Sequence, residues 1–124
     1  MTNKKKFDIY DRSLEFAVRV AKLVNKLPKS QAALEYSKQV IRSSGSIGAN
    51  IEEADGTLTK KDFVNKMGIA RREARESKHW LRLIKKVGLI NYSENEKELA
   101  WQIGEAEELM LILSSIINKT NQNK

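Results

Sequence analysis

The run TKKDFVNKMGIARREARESKHWLRLIKKVG, residues 59–88, decides the fold. Its residues Phe63, Met67, Ala70, Ala74, Ser77, Leu81 and Ile84 are separated alternately by four and three positions. At 3.6 residues per turn that spacing sets them on one helical face, whereas a half-buried strand would alternate every second residue. Thr59-Lys60-Lys61-Asp62 resembles a capping box with Asp in place of Glu or Gln. Gly88 is a suitable residue to follow the last turn. The run therefore reads as one amphipathic helix over about 60–87.

Working outward, the same signals recur. Ser30 can cap a helix over 31–55 carrying Leu34, Ser37, Ile41, Ser44, Ile47 and Ile51, with Asp55-Gly56 at its end. Asp11 can cap an earlier helix over 11–27, through Leu14, Ala17, Val18, Ala21 and Val24, stopped by Leu27-Pro28. On the other side, Ser93-Glu94-Asn95-Glu96 reads as a capping box for a helix over 94–119, with Leu99, Ile103, Ala106, Met110, Leu113 and Ile117 inward. Residues 118–124 are polar and expected to fray. Four helices joined by short turns predict an all-α, up-down-up-down four-helix bundle, a single domain spanning 1–124.

Composition agrees. Hydrophobic residues make up 40% and charged residues 31%, a globular balance. One proline and few aromatics favour long helices over sheets. Without cysteine there is no disulfide framework and no thiolate metal site. Lys4-Lys5-Lys6 is basic, but charges interrupt the apolar run a signal peptide would need next. No apolar stretch approaches the roughly 20 residues that span a bilayer, so no membrane partner and a cytoplasmic location are expected.

Two features exceed what a lone bundle requires. The first helix has a second apolar row, Phe16, Val20, Leu23 and Leu27, and the last is apolar nearly all round at Leu109-Met110-Leu111-Ile112-Leu113. A helix wet on one side needs a single apolar stripe. The surplus predicts burial against further copies of the chain, a homo-oligomer. Ser43-Ser44-Gly45-Ser46-Ile47-Gly48-Ala49-Asn50 is a poor helix former, each glycine costing about 1 kcal/mol relative to alanine. Small residues there admit a close neighbouring helix, and Asn50 is expected to bond across helices and fix register. A phosphate-binding loop is disfavoured, since no Gly-Lys-Ser/Thr follows and no strand precedes.

The formal net charge is +7. Arg71, Arg75, Lys78, Arg82 and Lys85 repeat the core spacing of the third helix displaced by one residue, forming a stripe beside the buried face, with Lys66, Arg72 and Lys86 nearby. Such a stripe suits backbone phosphates of RNA or DNA, and no base-reading motif accompanies it. Two alternatives compete: a solvated face, or pairing with Glu94, Glu96, Glu98, Glu105, Glu107 and Glu108 of the last helix, in the same or a neighbouring chain. Trp80 and Trp101 are read as core or interface residues ahead of base-stacking platforms.

Nothing points to catalysis. The single histidine, His79, has Glu76 one turn away but no nucleophile to activate. Glu52, Glu53 and Asp55 cluster, yet a di-metal bundle would want Glu-x-x-His pairs on two helices. No enzyme, metal or cofactor is expected.

The run Val40 to Glu53, containing Arg42, Ser46, Gly48, Asn50 and Glu53, is similar to the signature of a bacterial family. So are Lys61-Asp62-Phe63, Ile69-Ala70 and the run Glu73 to Leu83, with Glu76 and Trp80. These residues resemble the four-helix-bundle proteins encoded in intervening sequences of bacterial large-subunit ribosomal RNA genes. The accessory variability protein of diversity-generating retroelements is a related branch. From about Phe7 to Ile117, the resemblance implies a non-enzymatic homo-oligomer, with a pentameric ring or barrel favoured. Its retroelement branch implies a reverse transcriptase and nucleic acid as partners; a protein scaffold or adaptor ring is the alternative. Many relatives read Asn-Ile-Ala-Glu-Gly where this chain has Asn50-Ile51-Glu52-Glu53-Ala54, its glycine delayed to Gly56, so the second helix is expected to run further.

Overall fold

The structure, a computed structural model, describes residues 8–123; expectations about residues 1–7 and Lys124 lie outside them. Four helices and, among the described residues, no strands make up the chain: α1 Asp8–Val24, α2 Gln31–Asp55, α3 Lys60–Val87 and α4 Ser93–Gln122. Each packs on its neighbours in the chain, and α1 closes the ring against α4. Cross-helix partners run in opposite senses: Arg12 and Arg19 reach Glu105 and Glu98, while Arg42 and Glu53 reach Glu76 and Lys66. Adjacent helices are thus antiparallel, as short connections require.

The caps explain most boundaries. The Ser30 hydroxyl accepts from the Ala33 amide, and the Thr59 hydroxyl accepts from the Asp62 amide, each at 3.1 Å. Gly88 takes the left-handed conformation (φ 82°) that other residues adopt only at a cost, ending α3. α2 runs to Asp55, with Gly56 as its C-cap. At α4 the expected capping box does not form. Tyr92 occupies the cap position without a side-chain bond, and Ser93 is already helical. Nor does its polar tail fray early, since α4 continues to Gln122. α1 is shifted one turn toward the N-terminus, from Asp8 to Val24 rather than from Asp11 to Leu27. Leu27 is nonetheless buried, on a tight turn in which its amide bonds the Val24 carbonyl.

The core follows the α3 pattern residue for residue: Met67, Ala70, Ala74, Ser77, Leu81 and Ile84 are buried, and Phe63 partly so. On α1 the two apolar rows change places. Phe16, Val20, Leu23, Val24 and Leu27 fill the core, while Leu14 and Val18 are 44% and 48% exposed. Periodicity defines both rows but does not choose between them, and the bulkier one won. On α2, Leu34 and Ile41 likewise lie outside, at 59% and 47%, and Ala33, Val40, Ser43, Ser44, Ile47, Gly48, Ile51 and Ala54 are buried. On α4, Gln102 and Leu109 take the buried places expected of Ile103 and Met110, which are half-buried.

The small-residue segment splits into two cases. A Cβ on Gly48 would stand 2.8 Å from the Ser13 hydroxyl of α1, so glycine there admits the neighbouring helix. A Cβ on Gly45 would meet nothing within 4 Å, so packing within one chain does not require that glycine. Asn50 does not bridge helices; its amide donates to the Ser46 carbonyl one turn back at 2.8 Å. The buried polar link between helices is instead Ser43 with Ser77, hydroxyl to hydroxyl at 2.7 Å. No helix among the described residues is long and apolar enough to cross a membrane.

Candidate nucleic-acid interface

α3 carries ten lysines and arginines against three acidic residues. What these cations can do depends on how many carboxylates face them, and Glu53, Glu73, Glu76, Glu98 and Glu105 are paired with residues outside the stripe. On the α1–α4 seam, Arg12 grips Glu105 with two bonds (2.7 and 2.9 Å), and Arg19 grips Glu98 in the same way. The Arg19 guanidinium also lies 3.4 Å above the Trp101 ring, which accounts for that tryptophan. Its bond to Glu98 raises Arg19 and holds Glu98 below the usual carboxylate range, with Gln102 contributing a second bond to Glu98.

On the α2–α3 seam, Arg42 donates to Glu76 at 2.6 Å and to Glu73 at 3.3 Å. Burial pushes Glu76 upward, but the bonds from Arg42 and from the Trp80 indole outweigh it, and its pKa falls. Trp80 lies against Tyr36, ring centroids 5.9 Å apart, and His79 meets its edge. Glu53 pairs with Lys66 at 2.7 Å. The motif residues Arg42, Gly48, Glu53, Glu76 and Trp80 thus join α2 to its neighbours. Ser46 and Asn50 bond only within α2.

The stripe is largely left over. Among the described residues, Lys78 with Glu107 (2.6 Å) is the one ion pair joining it to α4. Arg71 is half-buried and donates to the Ser114 hydroxyl at 3.1 Å. Arg72, Arg75, Arg82, Lys85 and Lys86 are exposed and enter no ion pair among the described residues. General pairing of the stripe with α4 within one chain is therefore excluded: Glu98 and Glu105 serve α1 instead.

Arg75, Lys78, Arg82 and Lys86 line an open groove of about 430 Å³, together with His79, Leu83 and Met110 of α4. Arg71 and Lys85 lie outside this lining. Lys86, one residue on, holds the groove position instead. The sequence marks His79 only as a poor catalytic candidate and Met110 as core. The place of His79 on α3 beside the stripe is a signal for the groove; Met110, on α4, carries none, because only packing brings it there.

The chain and its fold match known proteins. The 23S rRNA-intervening sequence protein family matches residues 5–115. The chain belongs to that family. Among solved structures, it is similar to a protein of unknown function from the S23 ribosomal protein family of Bacteroides thetaiotaomicron VPI-5482. The identity is 38%, with a TM-score of 0.77 over 88% of this chain and 97% of the other. No curated protein matches the chain.

Proposed function

We propose that this protein is a non-enzymatic homo-oligomer that binds nucleic acid, without sequence preference, through the outer face of α3. The observation that carries the reading is the groove lined by Arg75, Arg82 and Lys86, which enter no ion pair among the described residues, while Glu98 and Glu105 serve α1 and Glu73 and Glu76 serve Arg42 of α2. Guanidinium forks and ammonium groups on a convex helix suit backbone phosphates, which every sequence presents alike. Oligomerisation is supported by exposed Leu14, Val18 and Ile41 on the α1–α2 face, beside the open flank of Gly45. A ring of five is the arrangement the family resemblance favours, and symmetry would then repeat the basic face around it.

The test is fluorescence anisotropy of labelled RNA and DNA across a salt series, with an Arg75→Gln/Arg82→Gln/Lys86→Gln variant and light scattering for mass. The expected result is binding that weakens steeply with salt, and a salt slope lowered by about one per lost phosphate contact in a variant of unchanged mass. Absence of binding at low salt would sink the nucleic-acid reading and leave a protein scaffold. A loss of mass in the variant would place the groove in the subunit interface.

A further inference from the structure

The lining of the α3–α4 groove points to a narrower ligand class, resting on the nucleic-acid reading above. We infer that the groove takes a single strand, with phosphates on the cations and unpaired bases against Leu83, Met110 and His79. Two observations carry this. The first is the mixed lining: beside Arg75, Lys78, Arg82 and Lys86 lie the half-buried side chains of Leu83 and Met110 and the exposed imidazole of His79, in one groove. Phosphates have no use for Leu83 or Met110. In a duplex the base faces are stacked on one another and inaccessible, and the groove edges are polar. Only a strand with splayed bases presents flat apolar surface that these side chains can cover, while the arginine planes can stack as well.

The second observation is linearity. From Arg75 to Lys86 the helix rises about 16 Å at 1.5 Å per residue, with cations about 4.5–6 Å apart, Lys78 among them already holding Glu107. A straight row of charges follows an extended backbone from phosphate to phosphate. A duplex strand winds away from such a line and meets it at only a few points. Trp80 does not contribute, since it faces Tyr36 and Glu76 on the opposite flank of α3. The stacking surface is therefore small, and the preference for single strands is expected to be moderate.

The experiment compares labelled single-stranded oligonucleotides with hairpins of equal phosphate number, on the full chain, at one salt concentration and across a salt series. The wild type should bind the single strand roughly 10-fold more tightly than the hairpin. Leu83→Asn/Met110→Gln should erase that preference while leaving the salt slope and hairpin affinity unchanged. His79→Ala, at an exposed position that leaves the fold intact, should reduce it in part. Equal or tighter binding of the hairpin overturns the inference while the nucleic-acid reading stands. Parallel losses for both ligands in Leu83→Asn/Met110→Gln, or in His79→Ala, also overturn it. Binding of neither ligand removes the underlying reading and the inference with it. Poly-glutamate competing as well as the single strand would identify an acidic protein surface as the occupant instead.

Discussion

Gly48 and Gly45 lie one turn apart on the same helix, yet they should answer a methyl group in opposite ways. At Gly48 the new Cβ would stand 2.8 Å from the Ser13 hydroxyl, itself held at 2.6 Å on the Tyr10 carbonyl, so either that hydroxyl gives up its bond or α1 shifts. Gly48→Ala should destabilise the bundle by about 1–3 kcal/mol. Adding Ser13→Ala removes the obstructing oxygen and should restore much of the loss in thermal melts; no recovery would mean the clash is not the cause. Gly45→Ala should gain up to about 1 kcal/mol from helix propensity, since nothing lies within 4 Å of the added carbon. If Gly45→Ala instead lowers the melting temperature, its open flank is occupied in the assembled protein. Sequence alone marked both glycines as places of close approach. It could not separate them, because which of two adjacent helical positions meets a neighbour depends on that neighbour's axis. The same limit explains Asn50, whose carboxamide found a carbonyl one turn away before it could reach another helix.

At the scale of elements, the seams differ in chemistry. α2–α3 is closed by small residues and the buried Ser43–Ser77 contact, with Arg42 spanning Glu73 and Glu76 and Lys66 holding Glu53, whereas α1–α4 is fastened by two arginine–glutamate forks around Gln102. Glu98 is held below the ordinary glutamate range of about 4.3. A carboxylate depressed in the folded state adds stability that is complete above its unfolded pKa and lost as pH falls through the folded one. Melting temperature should therefore decline as pH is lowered from about 5 into the acid range, and Glu98→Gln should flatten part of that decline. An unchanged acid limb in Glu98→Gln would show that the fork contributes nothing measurable. The existence of all four helices was legible because caps and apolar spacing agreed, most completely on α3. The rows facing inward on α1 were not, since both Leu14–Val18 and Phe16–Val20 satisfy the helical period. The groove was half legible: its cations lay in the stripe, but its apolar wall belongs partly to α4, and only packing brings Met110 beside Leu83.

For the molecule as a whole, the proposed function gives the exposed α1–α2 face and the basic α3 face different ends, which should be separable. Leu14→Lys/Ile41→Lys should reduce the mass seen by light scattering to that of the 14.2 kDa chain while helical content by circular dichroism is kept. Mass unchanged by both charges would remove that face from the assembly. Loss of the proposed assembly should also weaken nucleic-acid affinity, because linked sites act together more strongly than single ones. The bundle's closure has one more consequence. Ile9 of α1 and Ile116 of α4 line one cleft, and the Lys60 ammonium bonds the Asn123 carbonyl at that same end, so the helical chain finishes close to where it starts. A short glycine-serine bridge from Asn123 back to Asp8, with the backbone opened at Lys29, would turn the order of the helices into α2, α3, α4, α1 while preserving every contact between them. Such a circular permutant should fold, because the ring of helices has no privileged first member.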